Sequence, residues 1–225
     1  MPEAEAQTFS VGRGEGAAEV ERLLMGNRAF VEGRLLEDAD AFRRLIRGQK
    51  PPFLLVGCCD SRKPLDLLTR THPGELFIHR NIANLLPPGD PASEAVLEFA
   101  MSVLEVRHIV VSGHTRCGGI HAGLQGLSQG AVGHWIQPLR HLAEKHRAEL
   151  DAIAEEEERA DRLAERNVVA QLRNALGNAA VRRRLDGDGP PLHLHGWMFR
   201  VETGFLEPLP LPEEEWRAEG LLPES

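Results

Sequence analysis

The chain is predicted to be an α/β protein built on a mostly parallel sheet with helices on its faces, and three observations carry that prediction. Phe53–Gly57, Leu76–Asn81 and His108–Ser112 are short runs, largely apolar, of the kind buried inside a parallel sheet. The segments between and after them place apolar residues at helical spacing, so strands alternate with helices. The first and third runs stop abruptly in residues able to bind a metal, at the strand ends where open α/β sheets hold their ligands.

The elements follow in order. Residues 1–17 are rich in Gly and Glu and are expected to form a flexible arm. Val20, Leu23, Leu24, Asn27, Phe30 and Val31 follow an i, i+3, i+4, i+7 pattern, which predicts an amphipathic helix over 18–34. A second short helix is expected from Asp38 to Arg47. Pro51 and Pro52 then open the first strand. Ser93–Glu105 reads as a helix with Ser93 as its N-cap and Ala95, Val96, Phe99, Ala100, Val103 and Leu104 as its apolar stripe. Beyond Gly118–Gly119 the pattern is helical to about Leu185. Leu139, Leu142, His146, Leu150 and Ile153 mark one helix, and Leu163, Val169, Leu172 and Leu176 another. The acidic run at 155–159 and the arginines 182–184 read as solvated faces. LHLHGWMFRVETGFLEPL predicts a strand, a turn at Glu202–Gly204 and a short partner strand. No repeat or linker divides residues 18–206, which are taken as one domain, and the Pro- and Glu-rich tail at 207–225 is expected to be peripheral.

Composition narrows the function. With 225 residues, 42% of them hydrophobic, the chain suits a globular domain with a full core. A net charge of −8 argues against nucleic acid, whose binders usually carry a basic stripe. No segment approaches the ~20 apolar residues of a membrane span, and the acidic start lacks the apolar centre of a secretory signal. Three cysteines, an odd number, argue against a disulfide framework. A cytoplasmic location with reduced thiols is therefore expected, and metal binding is their natural use.

Cys58, His114 and Cys117 are the candidate ligands. A structural zinc normally takes four protein ligands, whereas three leave a position for water or substrate. His114 and Cys117, spaced H-x-x-C, can grip one ion from a single turn, and Cys58 closes the third corner from another strand. Asp60 and Arg62 follow Cys58 by two and four residues, adding a carboxylate and a guanidinium, and together this describes a hydrolytic or hydrating metal site. Gly113, Gly118 and Gly119 remove side chains where the backbone must bend near the metal, and a helix starting near Gly118 offers free N–H groups to an anionic oxygen. Cys59 should point away from Cys58 into the core. His79, His108, His121, His193 and His195 are assigned structural roles.

At GCCDSR (57–62), PGELFIHRNIAN (73–84) and GHTRCGG (113–119) the chain closely resembles the β-class carbonic anhydrases, and the likeness continues through NVVAQLRNALG (167–177) and HGWMFRVETGFL (195–206). The resemblance implies one zinc ion on Cys58, His114 and Cys117, and reversible hydration of carbon dioxide to bicarbonate and a proton. Zinc hydroxide would attack, oriented by an Asp60–Arg62 dyad, and Asp60 would ligate zinc itself in a closed, inactive form. Gln49, Phe77, Phe99 and the Gly118 amide match substrate contacts. A Rossmann-like sheet of about four parallel strands plus an antiparallel edge strand is implied, with an N-terminal helical arm and assembly as homodimers or homotetramers. A second bicarbonate site found in some relatives is not expected, because its tryptophan and tyrosine positions are Leu55 and Phe199 although Arg80 matches. Two competing readings keep the scaffold: hydrolysis of carbonyl sulfide or carbon disulfide, and a zinc-stabilised interaction protein without activity.

Overall fold

The computed structural model describes residues 16–224, so residues 1–15 of the expected arm lie outside the described residues. The described residues fall into two compact units, divided between Gly48 and Gln49. The first contains α1 (Ala17–Glu37) and α2 (Ala41–Leu45). Helix α1 extends the expected segment by a few residues and buries none of its 21 residues. Val20, Leu23, Leu24 and Phe30 of its apolar stripe are all exposed. The Phe30 ring meets Phe42 of α2 edge-on at 6.3 Å.

The second unit is organised by a five-stranded sheet in the order β2-β1-β3-β4-β5. Strands β1 (Phe53–Cys58), β2 (Leu76–Asn81), β3 (His108–His114) and β4 (His193–Phe199) are parallel, and β5 (Leu206–Leu209) pairs antiparallel with the second half of β4. This is the predicted fold. Around the sheet run α3 (Leu65–Thr69), a 3-10 turn (Ile82–Asn84), α4 (Pro91–Ser102), α5 (Gly118–Leu124), α6 (Gly130–Trp135), α7 (Gln137–Lys145), α8 (Arg147–Asp151), α9 (Glu156–Leu176), α10 (Ala179–Leu185) and α11 (Glu213–Ala218).

The main core joins one sheet face to the helices. Leu54, Val56, Ile109, Val111 and Met198 pack with Leu97 and Met101 of α4 and with Leu163, Val168 and Leu172 of α9. Each such side chain, fully buried, contributes about 1.5–3 kcal/mol. The opposite face is thinly covered: Leu55, Val110 and Leu65 form a small cluster there, with Phe53, Leu76 and Trp197 half-buried beside it.

Several local expectations are corrected. The N-cap of α4 is Asp90, whose carboxylate accepts from the Ser93 N–H at 2.8 Å and the Ser93 hydroxyl at 2.7 Å. Aspartate caps as well as serine does, and Pro91 fits the first turn, which needs no N–H donor. The helix expected through His146 is two helices, because His146 leaves helical geometry at φ −104°, ψ 18°. Of the three arginines of α10, only Arg183 is exposed as expected. Arg184 is buried and donates to the carbonyls of Met101, Val106 and Pro190, while Arg182 donates to those of Gly220 and Leu221. The tail is not peripheral either: α11 inserts Trp216, 1% exposed, into the main core.

Candidate metal centre

Strands β1 and β3 are neighbours at the middle of the sheet, with Gly57 in register with Ser112. Their C-terminal ends therefore set Cys58 and His114 side by side, and the turn after β3 brings Cys117 back to them. The three ligand atoms lie within 4.8 Å of one another, and all three residues are buried. The two sulfurs are 3.9 Å apart. That is far beyond the ~2.05 Å of a disulfide and close to the roughly 3.8 Å expected of two thiolates on one tetrahedral zinc. The Nδ1 of His114 bonds the Thr115 carbonyl at 2.8 Å, leaving Nε2 buried with no hydrogen-bond partner. An orphaned imidazole nitrogen beside two thiols is the donor set zinc takes, with the usual backbone bond fixing the tautomer. The residues fit zinc.

The electrostatics agree. The Cys58 thiol is pushed down to about 4, first by its bond from Cys117 and then by His114 and the Ala83 amide, whose nitrogen stands 3.4 Å from the sulfur. The Cys117 thiol is pushed up by the same bond and by burial. The pair thus shares one proton that a cation would displace. Ala83 adopts φ 64°, a strained conformation for alanine, and its carbonyl is held by the Asn167 amide at 2.9 Å. Gly119 is required opposite it, since a Cβ there would stand 2.8 Å from Ile82 and 3.1 Å from the Ala83 side chain.

Asp60 and Arg62 form a two-pronged pair. Arg62 donates from Nε to Oδ1 at 2.9 Å and from Nη2 to Oδ2 at 2.6 Å, and its own amide also reaches Oδ1. Arg62 additionally donates to the Arg116 carbonyl at 3.0 Å, fastening the pair to the turn that carries Cys117. The guanidinium holds the Asp60 carboxyl well below the usual carboxylate range. Oδ2 of Asp60 lies 3.8 Å from the orphaned Nε2 of His114.

The structure gathers Cys58, His114, Cys117, Asp60 and Arg62, with Gly118 opening α5 directly after Cys117. It does not gather Gln49, Phe77 and Phe99 to this point of the same chain. Gln49 is exposed ahead of β1, whose length alone, roughly 17 Å, separates the two ends. Phe77 is in register with Leu54, four residues before Cys58, and its ring lies 5.7 Å from that of Phe99 on α4. Cys59 points away from Cys58 but is exposed, because the strand ends there and the core does not extend past it.

Other residues hold the site and had no sequence signal of their own. Lys63, completely buried, donates to the carbonyls of Ser112 at 2.5 Å and Gly113 at 2.9 Å, just before His114. Arg80 donates to the carbonyls of Cys58, Asp60 and Lys63, so the loop bearing the pair is tied to both neighbouring strands. Thr115 donates to Glu202 at 2.7 Å, and Arg116 to the same carboxylate at 2.8 Å. Burial pushes Lys63 from its ordinary 10.5 down to about 7, against the pull of the Cys58–Cys117 pair. Between those values the unfolded chain keeps a proton that the folded chain has released, so stability rises with pH. The melting-temperature advantage of the wild type over Lys63→Met should accordingly grow from pH 7 to pH 10, measured by calorimetry. A pH-independent difference would refute the assignment.

Residues 53–206 match the family model described as carbonic anhydrase. The chain is 38% identical over 189 residues to a carbonic anhydrase of Emericella nidulans, covering 84% of this chain and 82% of that one. It is also 38% identical to a carbonic anhydrase of Pseudomonas aeruginosa, covering 81% of this chain and 87% of that one. Among solved structures, the β-carbonic anhydrase CafA of Aspergillus fumigatus superposes with a TM-score of 0.83 at 36% identity, covering 92% and 100%. A tetrameric β-carbonic anhydrase of Sordaria macrospora gives 0.81 at 36% identity, covering 85% and 97%.

Proposed function

The chain belongs to the β class of the carbonic anhydrases, and from that premise we propose that Cys58, His114 and Cys117 hold the class's zinc ion for reversible hydration of carbon dioxide, with Asp60 and Arg62 as the dyad that orients the attacking oxygen. The observation that carries this reading is the buried, unpartnered Nε2 of His114 beside two thiols and the Asp60 carboxylate. Zinc, when bound, supplies a Lewis acid that makes water acidic near neutrality, an effect for which carbonic anhydrases are the standard example.

The protein's own groups do the rest. Asp60, kept ionised by Arg62, offers a lone pair on Oδ2 beside the ligand group and would accept a hydrogen bond there, which orients the attacking oxygen towards carbon dioxide. Arg62 keeps that carboxylate from turning onto the metal, since ligation by Asp60 would require it to leave Arg62. The observed bonds support the open arrangement over the closed one. Arg80 has its guanidinium on three carbonyls of the site loop, which gives it a positioning role.

This reading makes the enzyme a homo-oligomer. Gln49 stands at the far end of β1 from its own Cys58, so a substrate contact from it serves a second copy's site, as does one from Phe77 and Phe99. The exposed stripe of α1 and the tetrameric state of the Sordaria macrospora relative support assembly. Among the described residues no helix is long and apolar enough to cross a membrane, and three free cysteines suit a reducing cytoplasm.

The test is stopped-flow hydration of carbon dioxide beside hydrolysis of carbonyl sulfide, with elemental analysis of zinc. Fast hydration, slow hydrolysis and one zinc per catalytic site are expected; hydrolysis outrunning hydration would move the assignment to the other substrate. Two thiolates cancel more of the zinc charge than imidazoles would, making it a weaker acidifier. Asp60, titrating far below neutrality, contributes nothing in the same window. The hydration rate should therefore climb between pH 7 and 9. A flat profile from mildly acidic to alkaline pH contradicts this.

A further inference from the structure

We propose that the chain carries a second transition-metal site, formed by His108, His193 and His195 at the opposite end of the sheet from the first. Strands β3 and β4 set His108 in register with His193, and His195 follows two residues on, so the three imidazoles rise from one face. Six residue steps along β3, roughly 20 Å, separate His108 from His114.

Two of the three imidazoles already stand at nearly the spacing of bound ones. His108 Nδ1 and His195 Nε2 lie 3.1 Å apart. Two nitrogens each about 2.0–2.1 Å from one tetrahedral zinc stand roughly 3.3–3.4 Å apart, so a few tenths of an ångström separate this pair from a chelate. His193 is exposed and its ring is stacked at 5.2 Å on that of His108. Rotation about its own side-chain bonds can turn a nitrogen to the other two.

The surroundings leave one carboxylate for a cation. His193 and His195 line a cavity of about 590 Å³ whose wall also carries Glu224 and the Glu213–Arg217 ion pair, closed at 3.0 Å. It lies beside the first half of β4, where β5 makes no pairing. Water or a carboxylate can thus supply a fourth ligand. Burial, followed by the neighbouring histidines, keeps His108 and His195 below the ordinary imidazole range, leaving lone pairs free near neutrality. Imidazole ligands without thiolates select zinc, nickel or copper(II) over magnesium or calcium. A hydrogen bond between two neutral rings would account for His108 and His195 but gives the adjacent His193 no role.

Equilibrium dialysis of the full chain against zinc, followed by elemental analysis, should give two ions per wild-type chain. His195→Ala and His193→Ala, the latter at an exposed position where folding is not at risk, should each give one and keep full hydration activity. In protein carrying a single zinc per chain, nickel should quench the fluorescence of Trp197, whose ring lies 6.3 Å from His195, with saturation at one equivalent. Trp197→Phe and His195→Ala should each remove that quench. One zinc per wild-type chain, or a second equivalent that survives both histidine substitutions, overturns the proposal.

Discussion

Cys117→Ala is expected to abolish zinc retention at the Cys58–His114–Cys117 centre and carbon dioxide hydration together while leaving the fold intact. The substitution removes one sulfur at a site that is 3% exposed and changes little volume, so secondary structure should persist in circular dichroism. Removing an outer contact to a metal ligand typically costs about 10–100-fold in metal affinity, and removing the ligand itself costs more. The zinc-to-chain ratio after dialysis should fall by one ion, and the hydration rate towards that of buffer. A Cys117→Ala protein that loses no zinc and turns over would show that the catalytic ion sits elsewhere.

Asp60→Asn separates binding from chemistry. Asparagine matches the shape of aspartate, but its amide cannot accept a proton, and one of its two ends presents N–H groups to the Arg62 fork that grips both oxygens of Asp60. Zinc content should stay at the wild-type value. Turnover should drop by about 10²- to 10⁴-fold, the usual worth of a positioned acid–base group, or roughly 3–5 kcal/mol of barrier. An unaltered stopped-flow rate would remove Asp60 from the mechanism.

The sheet and the ligand set were legible for the same reason. β1 and β3 are apolar runs that end in Cys58 and in His114-x-x-Cys117, and a parallel sheet carries adjacent strand ends to one point. What escaped was whatever depends on which way a polar chain turns. Lys63 and Arg184 are long cations that read as surface residues, yet each is buried because backbone carbonyls at strand and helix ends take its donors. Cys59 alternates away from Cys58 as expected, but alternation gives direction and not depth. The break at His146 is invisible to periodicity, since Leu139, Leu142 and Leu150 continue one stripe across it. Trp216 lies in a segment whose prolines and glutamates hid its single large anchor.

Helix α1 has a consequence for how the protein must be handled. Most helices in proteins stay wound because packing covers an apolar side, and α1 covers nothing among its own 21 residues. Its helicity then becomes a property of the solution: it should be full at high protein concentration and unravel on dilution. Preparations of one sequence would differ in ellipticity according to how crowded the sample is.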